Sequence, residues 1–291
     1  MTRPLTVRDT TRPPSAAGRL WRRAPVSIWI AAAVIVIYVL AALFAPLIAP
    51  FGEAQVVTEQ PFAPWDGSFL LGTDQLGRDV FSRLIYGARN TIGIAVLTTT
   101  LAFLIGVSSG LGAALKGGWV DQVLARATDV VMAIPYLIFT LVLLAVLGAS
   151  VVNLVLIIAL LDATRVFRLT RAAAMEVVVA DFIEVARLRG ERTLWIGLHE
   201  VLPNIVSTLA VEYGLRFCFV FLTIASLSFL GVGLQPPTAE WGSMVRDTAV
   251  LIGFGVLTPL VPAIAIASLT VAINLLVDWW LQERLEQRAG A

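Results

Sequence analysis

Residues 130–161 read VVMAIPYLIFTLVLLAVLGASVVNLVLIIALL, an uninterrupted run of 32 residues without a charged side chain. A helix crosses a bilayer core of roughly 30 Å with about 20 apolar residues, so this run is too long for one upright crossing. The sequence Gly148-Ala149-Ser150 in its middle is typical of a turn. We therefore predict two membrane-spanning helices here, joined at residues 148–150.

Four further runs with few or no charges flank this segment, at residues 26–48, 91–115, 205–230 and 256–277. The first of these is too long for a cleaved secretory signal, so we interpret it as a first transmembrane helix. Of the 291 residues, 58% are hydrophobic and 14% are charged, and the mean hydropathy is +0.86. In a soluble domain roughly a quarter of the residues are charged. We predict an all-α polytopic membrane protein with six transmembrane helices.

The distribution of positive charge supports this count. If residues 130–161 cross twice, sixteen Lys and Arg residues fall on the side of the N-terminus and four on the other side. Cytoplasmic loops collect Lys and Arg, so we place both termini in the cytoplasm. The chain then divides into a cytoplasmic tail at 1–25, a first helix with an outer loop at 26–90, and a five-helix region at 91–291 that contains a long inner loop at 162–204.

The residue inventory excludes several kinds of chemistry. The chain has one cysteine (Cys218), one histidine (His199) and one lysine (Lys116), so it cannot build a disulfide, a CxxC metal site or a His-rich metal site within itself. Lys116 is followed by glycine, whereas a Walker A loop needs Ser or Thr after its lysine. We predict no catalytic residue, metal or cofactor in this chain, so that any ATP and Mg²⁺ bind partner subunits. The net charge of +1 gives no reason to expect a nucleic-acid partner.

Two predicted outer loops are strongly patterned. The first patterned segment, residues 71–90, reads LGTDQLGRDVFSRLIYGARN, and its apolar residues recur at helical spacing, which predicts an amphipathic helix on the membrane surface. The second patterned segment, residues 227–244, reads LSFLGVGLQPPTAEWGSM. Its glycines and prolines impose a non-helical path, which indicates a cavity mouth or a partner-docking surface. The candidate residues in these two segments are Gly72, Asp74, Gly77, Arg78, Asp79, Gly231, Gly233, Gln235, Pro236, Pro237, Trp241 and Gly242.

The predicted inner loop contains two short amphipathic helices. The first covers residues 181–188 and is followed by a glycine. The second places Leu194 and Leu198 on one face with Trp195 exposed beside them, and Pro203 ends it before the next span. Helices of this kind suit either a groove on a partner protein or the membrane interface.

Two further features lie inside the predicted spans. Gly106 and Gly110 have the spacing that lets two helices approach closely, although the same glycines also suit a frayed helix end. Glu212 precedes Arg216 by four residues in the fifth predicted span, which is the favourable order for a helical ion pair. Because intramembrane charges are also candidates for function, this pair is either a structural ion pair or a contact with a substrate path.

The inner loop resembles the EAA…G…LP loop of ABC importer permeases. Glu184-Val185-Ala186 is followed by Gly190 and by Leu202-Pro203 at the family's spacing. With the two patterned segments in the same order, the chain is similar to the OppC/DppC-type permeases of oligopeptide, dipeptide and nickel importers over roughly residues 19–286.

The resemblance implies that the inner loop docks on an ATPase subunit. It departs from the family's loop pattern at Val185, Arg189 and Glu200, and Glu212 and Arg216 stand where family members are more apolar. The residues that we assign to this docking loop are Glu184, Val185, Ala186, Gly190, Leu194, Trp195, Leu198, Leu202 and Pro203.

The resemblance also implies a cellular setting. It makes the chain a multi-pass subunit of the bacterial cytoplasmic membrane, beside a second permease of the OppB/DppB type, ATPase subunits with two nucleotide-binding domains, and an extracytoplasmic substrate-binding protein. We expect oligopeptides as the substrate, with dipeptides or nickel chelates as alternatives. The competing class is a secondary transporter that needs no nucleotide. Such a transporter requires ionisable residues near the membrane midplane, where only Glu212 and Arg216 qualify.

Overall fold

The computed structural model describes residues 24–64 and 69–289, with side chains described as far as residue 283. Most of the predicted cytoplasmic tail, residues 1–23, therefore lies outside the described residues. Apart from loops, turns and two isolated β-bridges, the described chain is helical. In chain order the helices are α1 (Val26–Leu43), α2 (Ala45–Ile48), α3 (Val80–Lys116), α4 (Gly118–Met132), α5 (Tyr136–Leu147), α6 (Val151–Val178), α7 (Asp181–Leu188), α8 (Thr193–Ile196), α9 (Leu202–Phe229), α10 (Trp241–Thr248) and α11 (Leu260–Ala289). A π-helical turn at Gly197–Val201 joins α8 to α9, and a 3-10 segment at Ala249–Phe254 follows α10.

Within the described ranges, four stretches of helix are long and apolar enough to cross a membrane: α1, α3, Thr193–Phe229 and Leu260–Glu283. α4 and α5 make a fifth if they are taken as one span bent by 88°. α6 has the length of a span, at 28 residues, but carries four charged residues at 162–171. The prediction of an all-helical polytopic membrane protein is confirmed. Helix length and hydropathy support four or five membrane spans, and the predicted sixth span is not among them.

The turn predicted at residues 148–150 is present. α5 ends at Leu147, and Gly148 has a φ of 90°, which glycine adopts without steric cost. The Ser150 side chain then caps α6 by accepting a hydrogen bond from the Asn153 N–H at 3.1 Å. The Asn153 amide in turn donates to the Leu147 carbonyl at 2.8 Å, so the two helix ends are joined by local hydrogen bonds.

The amphipathic helix predicted on the membrane surface in residues 71–90 does not form as a separate element. Residues 71–79 are not helical, and residues 80–90 are the first part of α3, which runs unbroken for 37 residues. Asp79 begins it, because its carboxylate accepts a hydrogen bond from the Ser82 N–H at 2.7 Å. The polar side of this segment is not solvated, since the Arg83 side chain is buried. The prediction of a separate surface helix is wrong because a surface helix and the extended end of a span both bury one face and share one periodicity.

The inner loop is shorter than the predicted 162–204. α6 continues through the first part of this range and ends only at Val178, so Asp162 lies inside a helix. Pro203 does not end a helix but lies in the first turn of α9, where a missing N–H costs little. The π-helical turn precedes it, and α8 and α9 form one continuous helix from Thr193 to Phe229.

α3 and α6 pack closely because two glycines leave room for the partner helix. A Cβ on Gly106 would lie 2.5 Å from the Cβ of Val166, and one on Gly110 would lie 2.8 Å from the carbonyl oxygen of Phe167. Both distances are shorter than van der Waals contact, so the helices meet at glycine surfaces. Of the two interpretations of these glycines, close helix approach is confirmed.

We expect Gly106→Ala to destabilise the protein by about 1–3 kcal/mol, because the new methyl group overpacks the contact with Val166. Gly112 on the same helix is the matched control, since nothing lies within 4 Å of a Cβ placed there. Gly112→Ala should be neutral or slightly stabilising through helix propensity. Thermal unfolding of the detergent-solubilised protein measures both effects, and equal midpoints for the two variants would contradict the packing argument.

Candidate functional site

The helix α7 has one buried and one exposed face. Ile183 and Ala186 are fully buried, whereas Val185 and Leu188 are 51% and 82% exposed. Glu184 is also exposed. An exposed row of apolar side chains on a short helix is unusual unless a partner covers it. The EAA-like residues therefore divide into Ala186, which faces the core, and Glu184 and Val185, which face outward.

The turn after α7 explains why glycine occupies position 190. Gly190 has a φ of 80°, and its N–H donates to the Arg187 carbonyl at 2.9 Å. The Glu191 N–H donates to the Ala186 carbonyl at 3.2 Å, which completes a Schellman motif. No described residue lies within 4 Å of a Cβ at Gly190, so the requirement for glycine is conformational and not steric.

The second short helix presents two leucines to the outside. Leu194 and Leu198 are 71% and 46% exposed. Trp195, predicted to be exposed, is instead half-buried and stacks on the His199 ring with 4.9 Å between ring centroids. The difference arises because the helix turns Trp195 toward the core cluster that includes Ile196. We call the exposed apolar set the α7–α8 surface; its members are Phe182, Val185, Leu188, Leu194 and Leu198.

The π-helical turn that follows α8 rests directly on α3. A Cβ on Gly197 would lie 2.7 Å from Leu115, so the start of the π-helical turn is pressed against the end of α3. Of the last two motif residues, Leu202 is half-buried and Pro203 is exposed. Arg189 and Glu200, two of the departures from the family pattern, pair with each other at 4.0 Å across the two short helices.

The first patterned segment is held by a buried carboxylate. Asp74 accepts hydrogen bonds from the Leu76 and Arg78 N–H groups and from Arg78 Nε, at 2.8, 3.0 and 2.7 Å. Arg83 Nε lies 3.3 Å from the same carboxylate. The carboxylate of Asp74 thus holds the turn before α3 together and joins it to Arg83 in the first turn of that helix.

Two glycines in this segment allow close backbone contacts. Gly72 and Gly77 have φ values of 75° and 71°. A Cβ on Gly77 would lie 2.0 Å from the Thr58 carbonyl oxygen, and one on Gly72 would lie 2.6 Å from the Ala63 carbonyl oxygen. Both positions therefore require glycine for conformation and for space.

The second patterned segment is anchored by Trp241. This side chain is fully buried, and its Nε1 donates to the Leu84 carbonyl at 2.9 Å. A Cβ on Gly242 would lie 2.1 Å from the Ala225 carbonyl oxygen, and one on Gly233 would lie 1.9 Å from Ser228 Oγ. The glycines of this segment thus serve packing against α9.

Glu240, beside Trp241, caps α10. Its carboxylate accepts a hydrogen bond from the Ser243 N–H at 2.8 Å. Burial raises the pKa of this carboxyl above its ordinary value. The cap and the fully buried Trp241 fix the end of the second patterned segment.

The two patterned segments form one unit, which the sequence did not predict. Glu53 joins them, because its carboxylate accepts hydrogen bonds from the Asn90 amide and the Ala239 N–H, both at 2.9 Å. Arg83 Nη1 donates to the carbonyls of Glu53 and Pro237 at 2.9 and 3.3 Å. Glu53 carries no local signal, since it lies in an irregular loop outside both segments.

Most of the predicted residues of this unit are buried. The exposed ones are Gln235, Pro236 and Pro237, at the tip of the second segment, while Gly231 is half-buried. The Gln235 amide donates to the carbonyls of Gly231 and Gly233, both at 3.1 Å. A unit with one exposed tip can serve as a docking surface, and the alternative of a cavity mouth stays a prediction.

The charged pair inside the bundle belongs to a larger cluster. Arg216 Nε lies 2.7 Å from Glu212, and Arg216 Nη1 lies 3.6 Å from Asp162 on α6. Arg165 Nη1 approaches the same Asp162 at 3.7 Å. Asp162 is fully buried. At about 1.5 Å per residue, Arg216 lies roughly 20 Å along α9 from the start of that helix. Because Asp162 contacts Arg216, it lies at a similar depth in the bundle and not in a loop.

Comparisons with known proteins show the family to which the chain belongs. Residues 102–290 match the family described as binding-protein-dependent transport system inner membrane component. The chain is 36% identical over 246 residues to the di/tripeptide transport system permease protein DppC of Pseudomonas aeruginosa, covering 82% of this chain and 81% of the relative. It is 34% identical over 254 residues to the dipeptide transport system permease protein DppC of Haemophilus influenzae, covering 84% and 85%. It is 33% identical over 208 residues to the glutathione transport system permease protein GsiD of Pectobacterium atrosepticum, covering 72% and 69%.

Proposed function

The chain belongs to the family of binding-protein-dependent transport system inner membrane components, and we propose that it is the permease subunit of an ATP-driven peptide importer. It is a multi-pass protein of the bacterial inner membrane. The observation that carries the proposal is the α7–α8 surface, an exposed apolar patch on an element whose sequence and spacing resemble the ATPase-docking loop of this family.

The proposed partners are those that the family resemblance implies, and two of them are assigned to the two exposed surfaces. The α7–α8 surface is the docking site for an ATPase subunit that binds ATP and Mg²⁺, and two nucleotide-binding domains serve the whole complex. The exposed tip at Gln235–Pro237 faces the extracytoplasmic binding protein. A second permease of the OppB/DppB type completes the translocation pathway.

The packing supports a route for coupling. Gly197 is in direct contact range of Leu115 at the end of α3, and α3 lies along α6 through Gly106 and Gly110. Displacement of the α7–α8 surface by ATPase closure therefore reaches two long helices without an intervening flexible segment. Rigid elements in direct contact are what such coupling requires.

Peptides are the substrate class that we propose. The relatives are named for dipeptides, di/tripeptides and glutathione, whereas we expect oligopeptides from the sequence. The preferred peptide length stays a prediction, which uptake of peptides of increasing length would decide.

The test of this function is reconstitution in liposomes with the partner permease, the ATPase and the binding protein. We expect peptide uptake that needs ATP inside and the binding protein outside. Uptake by this chain without any ATPase subunit, driven by an ion gradient, would instead support the secondary transporter.

We also propose six transmembrane helices with both termini in the cytoplasm. The native Cys218 is buried, so single cysteines can be introduced beside it. A cysteine at Gln75 or Thr238 should react with an impermeant thiol reagent on intact cells. A cysteine at Thr193 should react only after permeabilisation. The Cys218 background is the unlabelled control, and labelling of Thr193 in intact cells would overturn this topology.

A further inference from the structure

A cavity of about 240 Å³ lies at the bend between α4 and α5, next to the intramembrane charge cluster. Its lining includes Met132, Pro135, Tyr136, Phe139, Thr164 and Arg165. Sites that enclose a whole small-molecule ligand are larger, at roughly 300–1,000 Å³. This cavity is therefore of a size to take one end of an extended ligand.

Arg165 is the charged residue of this lining. Its guanidinium carbon lies 4.9 Å from the Tyr136 ring centre and 4.5 Å from the Phe219 ring centre, so two aromatic faces fix its position. Among the described residues, the nearest carboxylate is that of Asp162, at 3.7 Å, which is longer than a hydrogen bond. The N–H groups of Arg165 thus donate no hydrogen bond to Asp162.

The cluster presents its positive charge to the cavity. Asp162 is fully buried, while the Arg165 side chain keeps 29% of its exposure. Arg216 lies between Asp162 and Glu212, so its charge is compensated on both sides. The charges of the four side chains in the cluster sum to zero. A ligand in the cavity nevertheless meets the guanidinium of Arg165 and not a carboxylate. α5 also begins at this cavity, and the partial positive charge of its first turn has the same sign.

The membrane setting excludes a lipid-facing role for Arg165. Charged side chains inside a bilayer face the protein interior or a water-filled cavity, because exposure to hydrocarbon is costly. A partly exposed guanidinium beside a cavity at this depth therefore marks a polar route through the bundle. A guanidinium with free N–H groups binds a carboxylate through two parallel hydrogen bonds.

We propose that this cavity receives the C-terminal carboxylate of a peptide in transit, with Arg165 as its binding residue. The inference rests on the proposed function, since it assigns a contact within the pathway of a peptide permease. The C-terminal carboxylate is the one anionic group that peptides of any sequence share. A site for it binds mixed peptides without reading side chains, and it binds weakly enough to release them.

The experiment compares uptake of trialanine and trialanine amide by the complete complex in liposomes, with the binding protein saturated by each peptide. The readout is the acid-to-amide uptake ratio in wild type, Arg165→Gln and Arg126→Gln. We expect the ratio to fall on the order of tenfold in Arg165→Gln, because one charge-assisted contact is lost. Arg126→Gln is the matched control, since Arg126 is exposed on α4 and does not line the cavity. Its ratio should equal that of wild type.

A preference of the binding protein for either peptide cancels, because the same binding protein serves all variants. If Arg165→Gln does not assemble, Arg165→Lys takes its place, since it keeps a cation beside Asp162 without the paired N–H geometry. An unchanged ratio, or an equal loss of uptake for both peptides, would overturn the assignment and leave the proposed function intact. A wild-type complex that imports neither peptide with ATP would overturn the proposed function itself.

Discussion

Arg216→Gln is expected to destabilise the protein by about 3 kcal/mol, and Glu212→Gln by only about 1 kcal/mol. Arg216 approaches two carboxylates, Glu212 at 2.7 Å and Asp162 at 3.6 Å. Its loss leaves the fully buried Asp162 with Arg165 alone. When Glu212 is lost, Arg216 still has Asp162. Thermal unfolding and the yield of assembled complex measure both variants.

The double variants distinguish this cluster from an isolated pair. If Glu212 and Arg216 formed an isolated pair, Glu212→Gln combined with Arg216→Gln would restore most of the stability. In the structure, the buried charge that loses its partner is Asp162. We therefore expect Asp162→Asn with Arg216→Gln to recover more. If the Glu212→Gln and Arg216→Gln pair recovered more stability instead, Asp162 would not be a partner of Arg216. Normal assembly with failed transport in Arg216→Gln would favour a contact of Arg216 with the substrate path.

Features fixed by neighbouring residues were predictable from the sequence. The turn at residues 148–150 depends on one glycine and one serine cap, and both signals are readable in the chain. The position of Gly190 follows from a helix end that needs a left-handed residue. Apolar runs likewise reveal the membrane spans, because each spanning helix must be apolar and must satisfy its backbone hydrogen bonds within itself.

Features that depend on distant contacts were not predictable. Glu53 meets Ala239 across 186 positions in the chain, and no local pattern distinguishes it from a solvated glutamate. Asp162 was assigned to a loop because it is the first charge after an apolar run. Its burial follows from Arg216, which is brought to it by another helix. One signal was available, since the intramembrane Arg216 needs compensating charge from a facing helix.

In the inner loop, the half-buried position of Trp195 also depends on distant contacts that the sequence does not reveal. Helical periodicity gave the apolar face of the second short helix but not which side the core would cover. The core takes Ile196 and half of Trp195, while Leu194 remains outside. Trp195 is consequently a poor site for testing partner contact, because a charge there would also disturb the fold. The exposed leucines of the α7–α8 surface are better sites.

Leu194→Asp is expected to uncouple ATP hydrolysis from transport. Leu194 is 71% exposed, so a carboxylate there is solvated in the free subunit and should leave membrane insertion and pairing with the second permease unchanged. In the complex, a central apolar interface contact is worth about 2 kcal/mol or more, roughly 30-fold in affinity. We expect peptide uptake and substrate-stimulated ATP hydrolysis to fall at least about tenfold in proteoliposomes.

Two further variants show whether the loss comes from the contact itself. Leu194→Met is the matched control, because it keeps an apolar side chain of similar size, and it should retain coupled hydrolysis and uptake. Gly190→Val should uncouple by a different cause, since a β-branched residue at a φ of 80° is strained and shifts α8 relative to α7 although no neighbour lies within 4 Å. Substrate-coupled hydrolysis and uptake at wild-type rates in both Leu194→Asp and Gly190→Val would show that the ATPase does not dock on the α7–α8 surface. Loss in Leu194→Asp alone would keep the surface and remove the requirement for a fixed angle between the two short helices.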